Sequence, residues 1–351
     1  MMVLMLSIDK TILREGSPAW QRANLYRSLV DDLAIIVPDM GHKWRYLLDG
    51  YMEAAAMLKI WKGQRIVVTS QDGLTNILAL ILSVRFKFGL EVQIHTDIFS
   101  PYYRRESFKN WLRIFGYWLG VRRAGSVRVV SRRIKENLVA KWRVERRKIR
   151  VLPIFVDVAH YQSDVTGNFL RKEYPEFSHI VLMASRLSRE KNFPLALEVF
   201  AEVRKKFPKV GLVVVGNGPE REKIKGEGII LRGWSNDLVP FYKSADIFLL
   251  TSDYEGYGLT LIEAGLCRTP IVTTNVGVVG ECINAKNALI AEPHDGHKLA
   301  THINFLLQNE SVRIMMRERL GRVSDWLLDK EDYLKSIKQS WALAAVGSKN
   351  I

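Results

Sequence analysis

Glu255 and Glu263 stand on either side of a glycine-bearing turn, in Asp253-Tyr-Glu-Gly-Tyr-Gly-Leu-Thr-Leu-Ile-Glu-Ala-Gly265. The apolar run Ile247-Phe-Leu-Leu-Thr251 before it reads as a buried strand, and Leu259 onward has the composition of a helix start. Gly256 and Gly258 let the backbone turn tightly and approach a ligand. The first helical turn then offers amides without upstream carbonyl partners, at the positive end of a helix dipole. Such a terminus binds phosphate, and the two carboxylates add acceptors for hydroxyls. A strand–glycine–helix unit of this kind also closes many α/β units for packing alone.

Two cations follow another apolar run, in Ala184-Ser-Arg186-Leu-Ser-Arg-Glu-Lys191. An arbitrary pair of this spacing is a solvated helix entry, whereas at the carboxyl end of a buried strand it suits a diphosphate. Arg186 holds such a group in bidentate fashion and Lys191 as a point charge. In the other half of the chain, His95 and Asp97 end the run Gln93-Ile-His95-Thr-Asp97. A lone histidine is more often a structural hydrogen-bonding group, but a strand's C-terminal end is where ligands of open α/β sheets bind.

The elements that must position these groups alternate. Strands are predicted at Val3–Ile8, Ala34–Val37, Arg65–Thr69, Glu91–His95, Val127–Ser131 and Ile149–Leu152, with helices at 18–30, 44–61, 75–88 and 132–144. In the second half strands are predicted at His179–Ala184, Gly211–Val215, Ile229–Leu231, Ile247–Leu250, Pro270–Thr274 and Ala288–Ala291. Helices there are expected at 193–207, 220–225, 238–243, 259–266, 296–308, 311–328 and 331–346. This alternation implies parallel βαβ units and two doubly wound α/β domains. The expected division is 1–165 and 166–330, with a final helical segment at 331–351. Val214-Val-Gly216-Asn-Gly218 has two glycines of a dinucleotide fingerprint, but Arg221 stands where the third belongs, which disfavours a dehydrogenase.

Glu255-x7-Glu263 with its internal Gly-x-Gly, followed by Cys267-Arg-Thr-Pro270-Ile-Val-Thr-Thr-Asn-Val-Gly277, resembles the signature of retaining family 4 glycosyltransferases. The resemblance implies the GT-B fold, with two Rossmann-like domains facing across a cleft and a last helix crossing back to the first domain through Trp341, Leu343 and Val346. It implies a nucleoside diphosphate sugar donor, UDP- or GDP-linked. In the family's arrangement Glu263 holds the donor ribose, Glu255 contacts the donor sugar, and the backbone of Gly258, Leu259 and Thr260 holds the diphosphate. Arg186 and Lys191 stabilise the leaving diphosphate, Gly216 faces the nucleotide, and Trp234 follows the strand where the base is held, unless it is a core residue. Gly16, in Arg14-Glu-Gly16-Ser-Pro, matches the family's first glycine loop in part, and Ser17-Pro18 reads equally well as a helix cap. His95 matches the family's histidine beside the transferring sugar. No Asp-x-Asp metal motif is present, so no cofactor or metal is expected. A GT-B nucleotide-sugar epimerase, or a catalytically silent GT-B subunit that binds a partner or nucleic acid, is the alternative.

The whole chain of 351 residues is 48% hydrophobic and 25% charged, ordinary for a globular protein of two domains. No apolar run approaches the roughly 20 residues of a membrane span. Met1 to Ile8 lacks a basic leader and reads as a first strand. Cys267 and Cys282 lie in apolar surroundings and read as core thiols of a reducing compartment. The net charge of +15 is concentrated: residues 102–150 hold 16 Lys+Arg against 3 Asp+Glu. That segment interleaves large aromatic and basic residues, as in Phe108-Lys-Asn-Trp-Leu-Arg-Ile-Phe-Gly-Tyr-Trp-Leu119, in the manner of an interfacial helix. The expected location is therefore cytoplasmic, peripheral at the inner face of the cytoplasmic membrane. The expected acceptor is lipid-linked or an envelope glycan, the expected surface partner is an anionic membrane, and no nucleic acid is expected.

Overall fold

In the computed structural model, residues 1–38, 45–164 and 167–347 are described. Three expectations touch positions outside them: a helix start at Trp44, the boundary after residue 165, and the last residues of the 331–351 segment. The chain forms two compact units, Met1–Pro153 with Leu328–Ile351, and Ile154–Leu327.

The first unit carries β1 (Met2–Leu6), α1 (Pro18–Arg27), β2 (Asp32–Ile36), α2 (Arg45–Ile60), β3 (Ile66–Ser70), α3 (Gly73–Ser83) and β4 (Gly89–Ile94). It continues with α4 (Pro101–Glu106), α5 (Phe108–Arg123), β5 (Ser126–Val129), α6 (Arg132–Trp142) and β6 (Ile149–Val151). Its six strands lie in the order β2-β1-β3-β4-β5-β6, all neighbours parallel. Every residue of β3, β4 and β5 is buried, the pattern of parallel strands covered on both faces.

Helix α5 packs tightly on α3. A Cβ on Gly73 would lie 2.0 Å from the Arg113 carbonyl oxygen, and one on Gly116 would lie 1.9 Å from that of Gly73. The missing side chains thus let two backbones touch, and the Arg113 guanidinium reaches Asp72, the cap of α3, at 3.1 Å. The outward face of α5 is left exposed, with Phe108 at 87%, Trp111 at 54%, Leu112 at 47% and Phe115 at 52%.

The second unit carries α7 (Val158–Gln162), α8 (Phe169–Glu173), β7 (His179–Ala184), α9 (Phe193–Lys206), β8 (Val210–Val215), β9 (Ile229–Gly233) and α10 (Val239–Ser244). Then come β10 (Ile247–Leu250), α11 (Leu259–Leu266), β11 (Ile271–Thr274), β12 (Ala288–Ala291), α12 (Gly296–Gln308) and α13 (Glu310–Leu320). Its parallel sheet has the order β12-β11-β10-β7-β8-β9. The chain winds outward from β7 to β9 and then from β10 to β12 in the other direction. The β7/β10 junction is therefore its topological switch point, the place where such sheets bind ligands.

Several expected helices end early, α1 at Arg27 rather than at 30 and α3 at Ser83 rather than at 88, and two are cut back further. Residues 220–225 form only a 3-10 turn, Arg221–Lys223. The run 311–328 breaks at Gly321, whose amide closes onto the carbonyls of Arg319 and Glu318, and resumes as the 3-10 turn Val323–Trp326.

The last helix, α14 (Lys330–Gly347), belongs to the first unit and packs on β4 and β5. Trp341 is fully buried as expected, but Val346 is 60% exposed. Tyr333, Ile337, Ala344 and Ala345 make the remaining apolar contacts. The cause is the close approach of the helix to two glycines: a Cβ on Gly89 or Gly125 would lie 2.3 or 2.7 Å from the Ala344 carbonyl oxygen. That approach turns Ala344 inward and Val346 outward.

Candidate functional site

In the second unit the candidate side chains follow the carboxyl ends of adjacent strands. Arg186 and Lys191 follow β7, Gly216 follows β8, Trp234 follows β9, and Glu255 follows β10. Lys191 and Glu255 come together at the switch point. The Lys191 ammonium lies 2.5 Å from Glu255 Oε1, and both side chains are largely shielded, at 15% and 13% exposed. Ser252 Oγ donates to the same carboxylate oxygen at 2.9 Å.

The loop that carries Glu255 is tied to its neighbours on several sides. Thr251 Oγ1 donates to the Lys191 carbonyl at 2.8 Å, and the Asp253 amide donates to the Glu190 carbonyl at 2.9 Å. Asn192 Nδ2 donates to Asp253 Oδ1 at 2.7 Å, and the imidazole of His294 lies 3.2 Å from the same oxygen. The Val278 amide donates to the Tyr257 carbonyl at 2.9 Å. Asn192 itself is left-handed, with φ of 51°, and caps α9 by accepting from the Leu195 amide. This conformation suits asparagine better than most residues. Local turn chemistry and long-range bonds thus set the Lys191–Glu255 geometry together.

Gly258 precedes α11 with φ of 84° and gives no side-chain cap. The opening amides of Leu259 and Thr260 are left for an anion or water by the geometry of any helix start. Gly216 is required for a different reason: a Cβ there would lie 1.8 Å from the Ser185 carbonyl oxygen. Its absence lets the β7 and β8 loops lie against each other.

Glu263, in α11, is only 6% exposed. Both of its oxygens are held: Tyr161 OH donates to Oε1 at 2.9 Å and Tyr242 OH to Oε2 at 2.8 Å. Burial raises its carboxyl to about 6, against the opposing effect of the two tyrosine hydroxyls. Sequence reasoning missed both tyrosines, which stand 102 and 21 residues away along the chain. No local pattern announces them. Arg186 is farther out, 71% exposed, and pairs with Glu190 at 3.2 Å. Trp234 is 68% exposed and donates through Nε1 to Asn236, so the core reading of that residue does not hold. Both cysteines are buried free thiols that burial raises to about 12, inert groups of the core.

The first unit places Gly16 at φ of 80° before Ser17, whose hydroxyl caps α1 by accepting from the Trp20 amide at 3.1 Å. The helix-cap reading of Ser17 is therefore realised in the structure. His95 follows β4, with Nε2 3.2 Å from Gln93 Oε1. Burial, with the nearby Arg128 and Arg22 guanidinium groups, lowers its imidazole to about 3. It is neutral at physiological pH. Among the described residues there is no group of three or more His, Cys, Asp or Glu side chains arranged to hold a metal ion.

Two doubly wound parallel sheets, anion-type loops at the strand ends of the second, and a final helix returned to the first unit define the GT-B class of fold. A profile of the glycosyl transferases group 1 matches residues 169–322, and a profile of glycosyltransferase family 4 matches residues 14–160. The chain belongs to these glycosyltransferase families. It is 29% identical over 180 residues to an alpha-monoglucosyldiacylglycerol synthase of Streptococcus pneumoniae, a match covering 46% of this chain and 41% of that one. It is 25% identical over 183 residues to the lipopolysaccharide core biosynthesis glycosyltransferase LpsE of Rhizobium meliloti, covering 50% and 52%. The chain spans about half the length of the curated relatives it matches. In fold it is similar to HepE of Anabaena, solved in complex with UDP and glucose, with a TM-score of 0.76 at 17% identity over 97% of this chain and 99% of that one.

Proposed function

We propose that the chain transfers a sugar, with retention at the anomeric carbon, from a UDP- or GDP-linked donor to a lipid-linked or envelope-glycan acceptor. The observation that carries this reading is the shielded Lys191–Glu255 pair at the switch point, in the loop that leads into α11, with Glu263 buried farther along the same helix. Breaking the glycosidic bond leaves charge on the diphosphate. Lys191, shielded and held by Glu255, and the amides of Leu259 and Thr260 offer preorganised positive charge to it, the kind of arrangement that lowers a barrier most, and the exposed Arg186 adds a second cation. Glu255 keeps Lys191 oriented before the donor arrives and accepts hydroxyls of the transferring sugar afterwards. Glu263, held by two tyrosine hydroxyls, retains lone pairs for the ribose. Trp234, exposed beyond β9, offers a flat apolar surface to the base. Gly16 and the neutral His95 belong to the unit assigned to the acceptor, and the role proposed for His95 is to hydrogen-bond a sugar hydroxyl.

The acceptor class is supported by the activities of two relatives, one a monoglucosyldiacylglycerol synthase and the other a lipopolysaccharide core biosynthesis glycosyltransferase. The outward face of α5 supports a membrane-proximal acceptor. Its exposed Phe108, Trp111, Leu112 and Phe115 are flanked by Arg104, Arg105, Lys109, Arg122 and Arg123. No described helix is long and apolar enough to cross a membrane. Interfacial docking uses the face that α3 leaves uncovered.

The test is a panel of nucleoside diphosphate sugars screened for protection against thermal unfolding. A donor at a hundredfold excess over its Kd adds about 2.7 kcal/mol to the native state. The reading expects a clear rise in Tm with one UDP- or GDP-linked sugar. A flat panel would refute it.

A further inference from the structure

Strand β4 lies in the middle of the first unit's sheet, yet it carries Glu91 and Gln93 at 1% exposure each. Alternate residues share a face of a strand, so Glu91, Gln93 and His95 form one polar row that ends at the carboxyl edge of the sheet. Buried polar groups in such a place cost stability compared with apolar ones unless each is paired. Here each is. Glu91 accepts from Ser340 Oγ and, at 3.2 Å, from Trp341 Nε1, both on α14. It accepts also from Gln93 Nε2 at 2.7 Å. Ser340 is in turn bonded to Ser126 Oγ at 2.9 Å.

The row has a direction. An indole N–H can only donate, so Trp341 marks Glu91 Oε2 as an acceptor, and Gln93 meets that same oxygen. The NH2 of Gln93 must therefore point to Glu91, which turns its carbonyl oxygen toward His95. That oxygen accepts only if His95 carries its proton on Nε2. The other nitrogen, Nδ1, is then left as an acceptor.

We infer that Gln93 and Glu91, anchored by Ser340 and Trp341 of α14, are positioning residues that hold His95 as the Nε2–H tautomer with Nδ1 free to accept a hydroxyl. The consequence for transfer rests on the proposed role of His95 beside the reacting sugar, while the tautomer itself does not. His95 is on this account a fixed hydrogen-bond acceptor. The last helix of the chain, distant in sequence, sets the direction of that bond.

Two-bond 1H–15N correlation spectra of the full chain labelled with 15N-histidine read the tautomer directly, with His95 assigned by its loss in His95→Asn. The wild type is expected to show only Nε2–H. Gln93→Met keeps the side-chain length and removes the acceptor, so mixed tautomers are expected, with kcat lower by about tenfold at an unchanged donor KM. Glu91→Gln provides a second, nearly isosteric reading. Its amide no longer dictates the direction of Gln93, and both tautomers are expected although Gln93 is intact. A purely structural role for the row would change Tm and leave the tautomer alone. A wild-type Nδ1–H form, or an unchanged tautomer in both variants, overturns the inference. A shifted tautomer with full turnover supports the relay and refutes the role of His95 in transfer.

Discussion

In the role proposed for it, Glu263 accepts ribose hydroxyls best when ionised, and burial raises its carboxyl to about 6. Nucleotide affinity is therefore expected to fall as pH drops through about 6, with most of the change between pH 7 and 5. Stability runs the opposite way. A carboxyl raised in the folded state holds its proton more tightly there, so its contribution is greatest below the ordinary value of 4.5. That contribution is lost as pH rises through about 6, on the order of 2 kcal/mol. Tyr161→Phe removes the donor to Oε1 and leaves the burial. The acid limb of a binding-versus-pH curve should move upward, and calorimetric titration of nucleotide between pH 5 and 8 measures it. An unmoved limb would mean that another group sets the pH dependence. The sequence made Glu255, Glu263 and the cations legible because loop and helix-start chemistry is local. The tyrosine clamp was not legible, since Tyr161 and Tyr242 reach Glu263 only through the packing of α7 and α10 around α11.

At the level of elements, α5 presents two faces with different partners. Gly116, Tyr117, Gly120 and Val121 are buried, while Phe108, Trp111, Leu112 and Phe115 face outward. Two arginines are laid over this aromatic surface, Arg104 at 6.0 Å from the Trp111 ring and Arg122 at 3.7 Å from that of Trp118. Near an anionic leaflet each such cation contributes about 1 kcal/mol. Changing Arg104, Arg105, Arg122 and Arg123 together to Glu should abolish sedimentation with anionic liposomes, and the wild type should bind neutral liposomes far less. Indifference of the wild type to lipid charge would remove the membrane reading. The alternation of aromatic and basic residues showed the helix in the sequence. Which face stays uncovered depends on the Gly73–Gly116 approach, a contact between elements that no single segment specifies. Likewise Arg128 belongs to the basic run in sequence but is 3% exposed, donating to the Tyr333 hydroxyl at 2.8 Å.

For the whole molecule, strand alternation was enough to read two doubly wound sheets, because central parallel strands are continuous apolar runs with turn residues at their ends. Helix ends were less legible: Gly321 breaks a periodic pattern that would otherwise continue, and the inward face of α14 is set by Gly89 and Gly125 on other elements. In the proposed function, the loop between β10 and α11, with Lys191 and Glu263, holds a nucleoside diphosphate without a metal. Titration calorimetry of UDP and GDP into wild type, Lys191→Ala and Glu263→Gln, all in EDTA, tests it most directly. The account predicts that one nucleotide binds the wild type in EDTA and binds each variant at least about tenfold more weakly, a loss of roughly 1.4 kcal/mol or more. Binding that requires added magnesium or manganese, or equal affinity in all three proteins, would contradict it.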